Sequence, residues 1–122
     1  MPFEKVEMKV STAGAGGAAS GSAQSIHTEG RVIAVHVSYA SNAPATTDLI
    51  LRSADEPNEV ILSLANVSTT GWYQPRKAIH TSVGSVVADQ YDHYPIYGPL
   101  HLTVSGSDAL AQAAKATIYL EK

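Results

Sequence analysis

Residues 30–40, GRVIAVHVSYA, decide the fold class. Ile33, Val35, Val37 and Tyr39 fall on one side of an extended chain, and Val32, Ala34, His36 and Ser38 on the other. β-branched and aromatic residues at period 2 favour a pleated strand over a helix. Both faces are only weakly polar, which suits a central strand covered on two sides. Working outward, the same alternation recurs. Val6, Met8 and Val10 oppose Lys5, Glu7 and Lys9 near the N-terminus. Leu100, Leu102 and Val104 are expected inward in PLHLTVSG, and Ala116, Ile118 and Leu120 in KATIYLEK.

Between these runs lie turn clusters. SNAPA (41–45) and ADEPNE (54–59) combine Pro, Asn and Asp, which fix φ or supply local hydrogen bonds. TTDLILRS and VILSLANV read as strands on either side of the second cluster. Pro75 in GWYQPRKAIHT lacks an amide donor and restricts that run to an edge or a bulge. Residues 82–98, SVGSVVADQYDHYPIYG, read as a long connection with one short strand. DALAQAA (108–114) favours helix by composition but is too short for more than a turn. The expectation is an all-β chain: one β-sandwich of jelly-roll or immunoglobulin-like type, with seven or eight short strands.

Residues 11–23, STAGAGGAASGSA, contain only Gly, Ala, Ser and Thr. No side chain there is large enough to offset the entropy of ordering, so a flexible arm is expected. The division is a strand over 1–10, the arm over 11–23 and a sandwich domain over 24–122. Thirteen extended residues reach up to ~43 Å, enough to carry the first strand onto a neighbouring subunit. Pairing within its own sheet is the competing expectation.

Composition narrows the function. Charged residues make up 16% of the 122 residues, the net charge is −3, and cysteine is absent. Scattered single Lys and Arg give no footprint for nucleic acid, and disulfide or thiolate chemistry is ruled out. No apolar run approaches a membrane span and no signal-peptide core precedes the first strand, so a soluble chain made in the cytoplasm is expected.

GAGGAA (14–19) matches the dinucleotide fingerprint formally, yet no helical period follows to meet a pyrophosphate. His27, His36, His80, His93 and His101 are spread without metal-ligand spacing; His80, Asp92 and His93 form the one composite worth checking. No nucleophile elbow is present. No catalytic, cofactor-binding or metal-ligating residue is assigned, and no enzyme is expected.

Five of the eight aromatic residues (Trp72, Tyr73, Tyr91, Tyr94 and Tyr97) lie within 72–97, among Pro75, Pro95 and Pro99, with Arg76 and Lys77 beside them. Such side chains bury large area with few rotors and concentrate at contact surfaces. They could dock a protein, stack against a sugar, or plug the sandwich core.

Taken together, GRVIAVHV, TTDLIL, ILSLANVSTTGWYQPR, the 78–81 step with Gly84, YGPLHLTVSG and ATIYLE resemble small all-β structural proteins of tailed bacteriophage virions. The resemblance runs from about Gly30 onward. It implies a non-enzymatic capsid cement or decoration subunit on the virion surface, homo-oligomeric and partnered by the major capsid protein. The contact set would be Phe3, Val6, Met8, Trp72, Tyr73, Arg76, Tyr91, Tyr94 and Tyr97. A head–tail connector, a tail-associated protein and a carbohydrate-binding module are the alternatives.

Overall fold

A computed structural model describes residues 3–55 and 58–122. The strands are β1 Phe3–Val10, β2 Ala19–Gln24, β3 Thr28–Tyr39, β4 Asp48–Ser53, β5 Val60–Leu64, β6 Gly71–Tyr73, β7 Lys77–His80, β8 Val86–Asp92, β9 Pro95–Gly98, β10 Leu100–Ser107 and β11 Ala114–Glu121. One sheet runs β1-β11-β3-β6, with β9 also paired to β3; the other runs β2-β10-β4-β5. All these pairings are antiparallel.

Chain order and sheet order together define a rolled-up hairpin. β1 pairs β11, β2 pairs β10, β3 pairs β6 and β9, and β4 pairs β5, with successive pairs falling in alternate sheets. This is a jelly roll, one of the two sandwich types expected. One position is split: β6 and β9 lie along the two halves of β3, at 35–37 and 28–31. The β7–β8 hairpin is inserted between them and belongs to neither sheet.

The core fills the space between the two sheets. Val32, Val35, Val37, Met8, Val10, Ile118 and Leu120 come from one sheet, and Leu49, Leu51, Ile61, Leu100, Leu102 and Val104 from the other. Ala114 and Ala116 on the central β11 let larger side chains from the facing sheet reach across. The inward faces expected for β1, β10 and β11 are those observed.

β3 differs in phase. The register shift between Tyr119 and Leu120 leaves Ile33 without a direct partner, so Val32 turns inward with Val35 and Val37. A bulge adds one residue and inverts the alternation beyond it, which a strict period-2 reading misses. The described residues form eleven strands rather than seven or eight, because residues 71–98 break into four short pieces and the segment expected to be an arm supplies β2. The strand expected across Pro75 stops at Tyr73 and resumes at Lys77 outside the main sheets.

The flexible arm is also corrected. β2 is an edge strand of the second sheet, and its Ala19 is fully buried. Residues 14–18 form a turn, with no helix for the GAGGAA match. Thr12 holds the entry: its Oγ1 donates to the Asp108 carbonyl (2.5 Å) and accepts from the Leu110 N–H (3.0 Å). The Gly17 N–H donates to Asp108 Oδ1 at 2.9 Å. A Cβ on Gly21 would lie 2.1 Å from the Ser11 carbonyl oxygen, so the small residues permit a close chain crossing. Backbone and hydroxyl hydrogen bonds, rather than apolar anchors, order this segment.

Candidate functional site

The first sheet turns a populated face to solvent. His36 is paired across the strands with Trp72 and with Thr117, and Ala34 with Tyr119. These outward positions bring three rings together. The His36 and Trp72 centroids are 4.6 Å apart at 53°, and those of Trp72 and Tyr119 are 5.5 Å apart at 32°. Trp72 is 62% exposed, while Thr117 beside the cluster is buried. The sequence places Trp72 in a three-residue strand, GWY, so its neighbours Gly71 and Tyr73 must face inward. Tyr73 does, against the core.

A polar fringe borders the rings on β1 and β11. Glu7 pairs across from Thr117 and Lys5 from Tyr119. Glu7 contacts the ammonium groups of Lys5 at 3.5 Å and Lys115 at 3.8 Å. A flat ring surface beside fixed donors and acceptors can hold a ligand that has both an apolar face and hydroxyl groups.

A second aromatic pair occupies the other end of this face. Tyr97 is 79% exposed and meets the His27 ring edge-on at 4.8 Å. Nearby Arg31 makes an ion pair with Glu121, which lies opposite Phe3 across the strands.

The nine residues expected to make partner contacts separate into two groups. Phe3, Trp72, Tyr91 and Tyr97 are exposed. Met8 is buried in the core and Val6 packs against it, because β1 pairs β11 of its own chain. These two are corrections to the contact set. Tyr73 and Tyr94 also pack on the core, and Lys77 sits 5.6 Å from the Tyr94 ring centroid. Arg76 is turned back onto the Pro75 carbonyl at 2.8 Å. Trp72, the largest candidate for a core plug, lies outside the core.

The His80, Asp92 and His93 composite does not assemble. Lys77 pairs with Asp92 and His80 with Val86, which places His80 toward the turn and Asp92 at the base of the hairpin. The His93 N–H donates to Asp92 Oδ1 at 2.7 Å and holds that carboxyl below its ordinary range. Among the described residues, no group of three His, Asp or Glu side chains could hold a metal ion. No helix among the described residues is long and apolar enough to cross a membrane.

Sequence reasoning missed His36 and Tyr119 as partners of Trp72. Their outward direction was legible from alternation, but cross-strand register between residues 36, 72 and 119 was not.

No protein-family model matches the chain, and no curated protein matches it. Among solved structures, the chain is similar to the enzymatically active domain of tailspike protein 4 of bacteriophage CBA120, with a TM-score of 0.42 and 11% identity. That alignment covers 96% of this chain and 19% of the tailspike chain, so the chain spans about a fifth of that protein. A carbohydrate-binding module of the β-sandwich superfamily gives a TM-score of 0.31 at 10% identity, covering 98% of this chain and 57% of that one. A structure described as CBM4 gives 0.28 at 10% identity, covering 96% and 90%.

Proposed function

We propose that the protein is a non-enzymatic binding module that holds carbohydrate on the outer face of its first sheet. Trp72 and Tyr119 stack against the apolar face of a pyranose ring, His36 props Trp72, and Glu7, Lys5 and Lys115 meet hydroxyl groups. The observation that carries this reading is an exposed Trp72 held 5.5 Å from Tyr119 on a sheet face. An exposed indole fixed by neighbouring rings loses little entropy on binding, which favours recognition over mere surface display. The test is a glycan array probed with the wild-type chain and with Trp72→Ala. Binding to at least one glycan class that the variant loses supports the reading; a blank array for the wild-type chain overturns it.

A second reading is favoured by the inserted hairpin. Val83, Val86 and Tyr91 on or beside β7–β8 are exposed, and the ribbon belongs to neither sheet. Two-stranded ribbons are marginal alone in water, so cover by another subunit would stabilise this one. The hairpin would then be the contact of a capsid cement or decoration subunit on a phage head, touching the major capsid protein and copies of itself. Quantitative mass spectrometry of purified particles separates the cases. Hundreds of copies support capsid decoration, a handful support a tail or neck position, and absence removes the virion reading.

A further inference from the structure

The second sheet carries a polar cleft on its own outer face, remote in topology from the ring cluster. Gln24, His101 and Arg52 form one cross-strand row over β2, β10 and β4. With Thr103, Ala54 and Asn58 they line a cavity of about 310 Å³. This lies at the lower end of the roughly 300–1,000 Å³ typical of small-molecule sites.

Ala54 and Asn58 form one lip, and backbone hydrogen bonds hold them and the adjoining Ser53. The Ala54 N–H donates to the Pro99 carbonyl at 3.0 Å, and the Ser53 N–H to the Glu59 carbonyl at 2.9 Å. Asn58 sits in the left-handed region at φ 59°, donating its N–H to the Asp55 carbonyl at 2.6 Å.

Arg52 distinguishes the cleft from ordinary polar surface. Its Nε is buried and has no hydrogen-bond partner among the described residues, and no described carboxylate forms an ion pair with it. A buried guanidinium N–H left unpaired is costly, and a planar oxyanion is the acceptor that fits it best. Among the described residues, no Asp or Glu lines the cavity to compete. The other polar groups are an imidazole, two carboxamides and a hydroxyl, which suit neutral hydroxyls.

We infer that this cleft binds a hexuronate, with Arg52 taking the carboxylate and Gln24, Asn58, His101 and Thr103 meeting ring hydroxyls. The site does not depend on stacking at Trp72.

The test follows the Arg52 Nε–Hε signal by ¹H–¹⁵N NMR during separate titrations with sodium glucuronate, glucose, acetate and inorganic phosphate. Glucuronate should move the signal saturably, glucose should leave it unmoved, and acetate should bind more weakly than glucuronate. Arg52→Gln should weaken glucuronate binding at least roughly tenfold. Asn58→Gly keeps the left-handed backbone and should weaken glucuronate severalfold without changing acetate. Trp72→Ala should bind glucuronate as the wild-type chain does, so failure at the ring platform and failure here are read separately. Absence of a saturable shift with glucuronate, or phosphate binding as tightly, would overturn the assignment.

Discussion

The indole of Trp72 lies 5.5 Å from the phenol ring of Tyr119, although β6 and β11 are not neighbours in the sheet. The long side chains reach across β3, where His36 fills the gap at 4.6 Å from Trp72. Removing Trp72 should therefore alter the surface far more than the fold. Trp72→Ala is expected to cost about 1 kcal/mol or less, the scale of an exposed aromatic pair. Urea denaturation measures this, with an unchanged slope against denaturant showing that the folded state is retained.

The first strand behaves as core rather than as a detachable clasp. Met8 is 3% exposed and Val10 1%. Met8→Ala is expected to destabilise the domain by about 2–5 kcal/mol. Deleting residues 1–23 should abolish cooperative unfolding, because β1 and β2 each cover one edge of the sandwich. Circular dichroism during thermal melting checks both outcomes.

The inserted hairpin is separable in energy from the roll. Its residues beyond Ile79 are largely exposed, and Gly84 at φ 85° closes its turn. Val83→Ser together with Val86→Ser should change stability by less than about 0.5 kcal/mol, as for ordinary surface positions. In the phage reading the same pair should reduce attachment to particles, measured by co-sedimentation. Attachment equal to wild type would remove the hairpin from the contact.

Tyr39 gives the domain a defined alkaline weakness. Burial, with a smaller contribution from the neighbouring Tyr73, pushes its phenol up to about 12. Its hydroxyl is buried without a hydrogen-bond partner among the described residues. The folded state thus holds the proton more tightly than the unfolded chain, whose phenol titrates near 10. Stability from this group is complete below pH 10 and is lost as the pH rises from 10 through about 12. Tyr39→Phe should flatten the pH dependence in that window and raise stability near neutrality by about 1 kcal/mol. Chemical denaturation of both forms at pH 7, 10 and 11.5 measures the difference.

Gly106 lies in the bulge that interrupts the pairing of β10 with β2 between Val104 and Ser107. It lies at φ 62°, and a Cβ there would sit 2.5 Å from the Thr46 carbonyl oxygen. Gly106→Ala should destabilise by about 1–3 kcal/mol, since both the backbone conformation and the space oppose it. A lowered melting temperature with the same far-ultraviolet spectrum is the expected observation.

Much of this architecture was legible in the sequence where alternation is strict. Val6, Met8 and Val10, the apolar faces of β10 and β11, and the turn at 41–45 follow from side-chain period and turn chemistry; the turn expected at 54–59 falls partly on residues 56 and 57, outside the described residues. β3 was legible as a strand but not in phase, because an unpaired Ile33 leaves no compositional trace. The Gly/Ala segment misled for a physical reason. Its order comes from Thr12, Asp108 and backbone groups distant in sequence, while local composition reports only the absence of large side chains. The aromatic stretch was visible, but its meaning depended on pairing: register with β3 sets Trp72 against the outward His36 and Tyr73 against the buried Val35. His36, Tyr119, Arg52 and His101 become sites only through register, which links strands far apart along the chain.

Trp72 is the only tryptophan in the chain, so its emission reports the proposed platform directly. The most direct measurement is a fluorescence titration of the wild-type chain and of Tyr119→Ala with the oligosaccharide class retained on the array. A saturable change in Trp72 emission, weakened at least roughly tenfold in Tyr119→Ala, is the expected result. Binding detected by calorimetry with Trp72 emission unmoved would contradict stacking at this face.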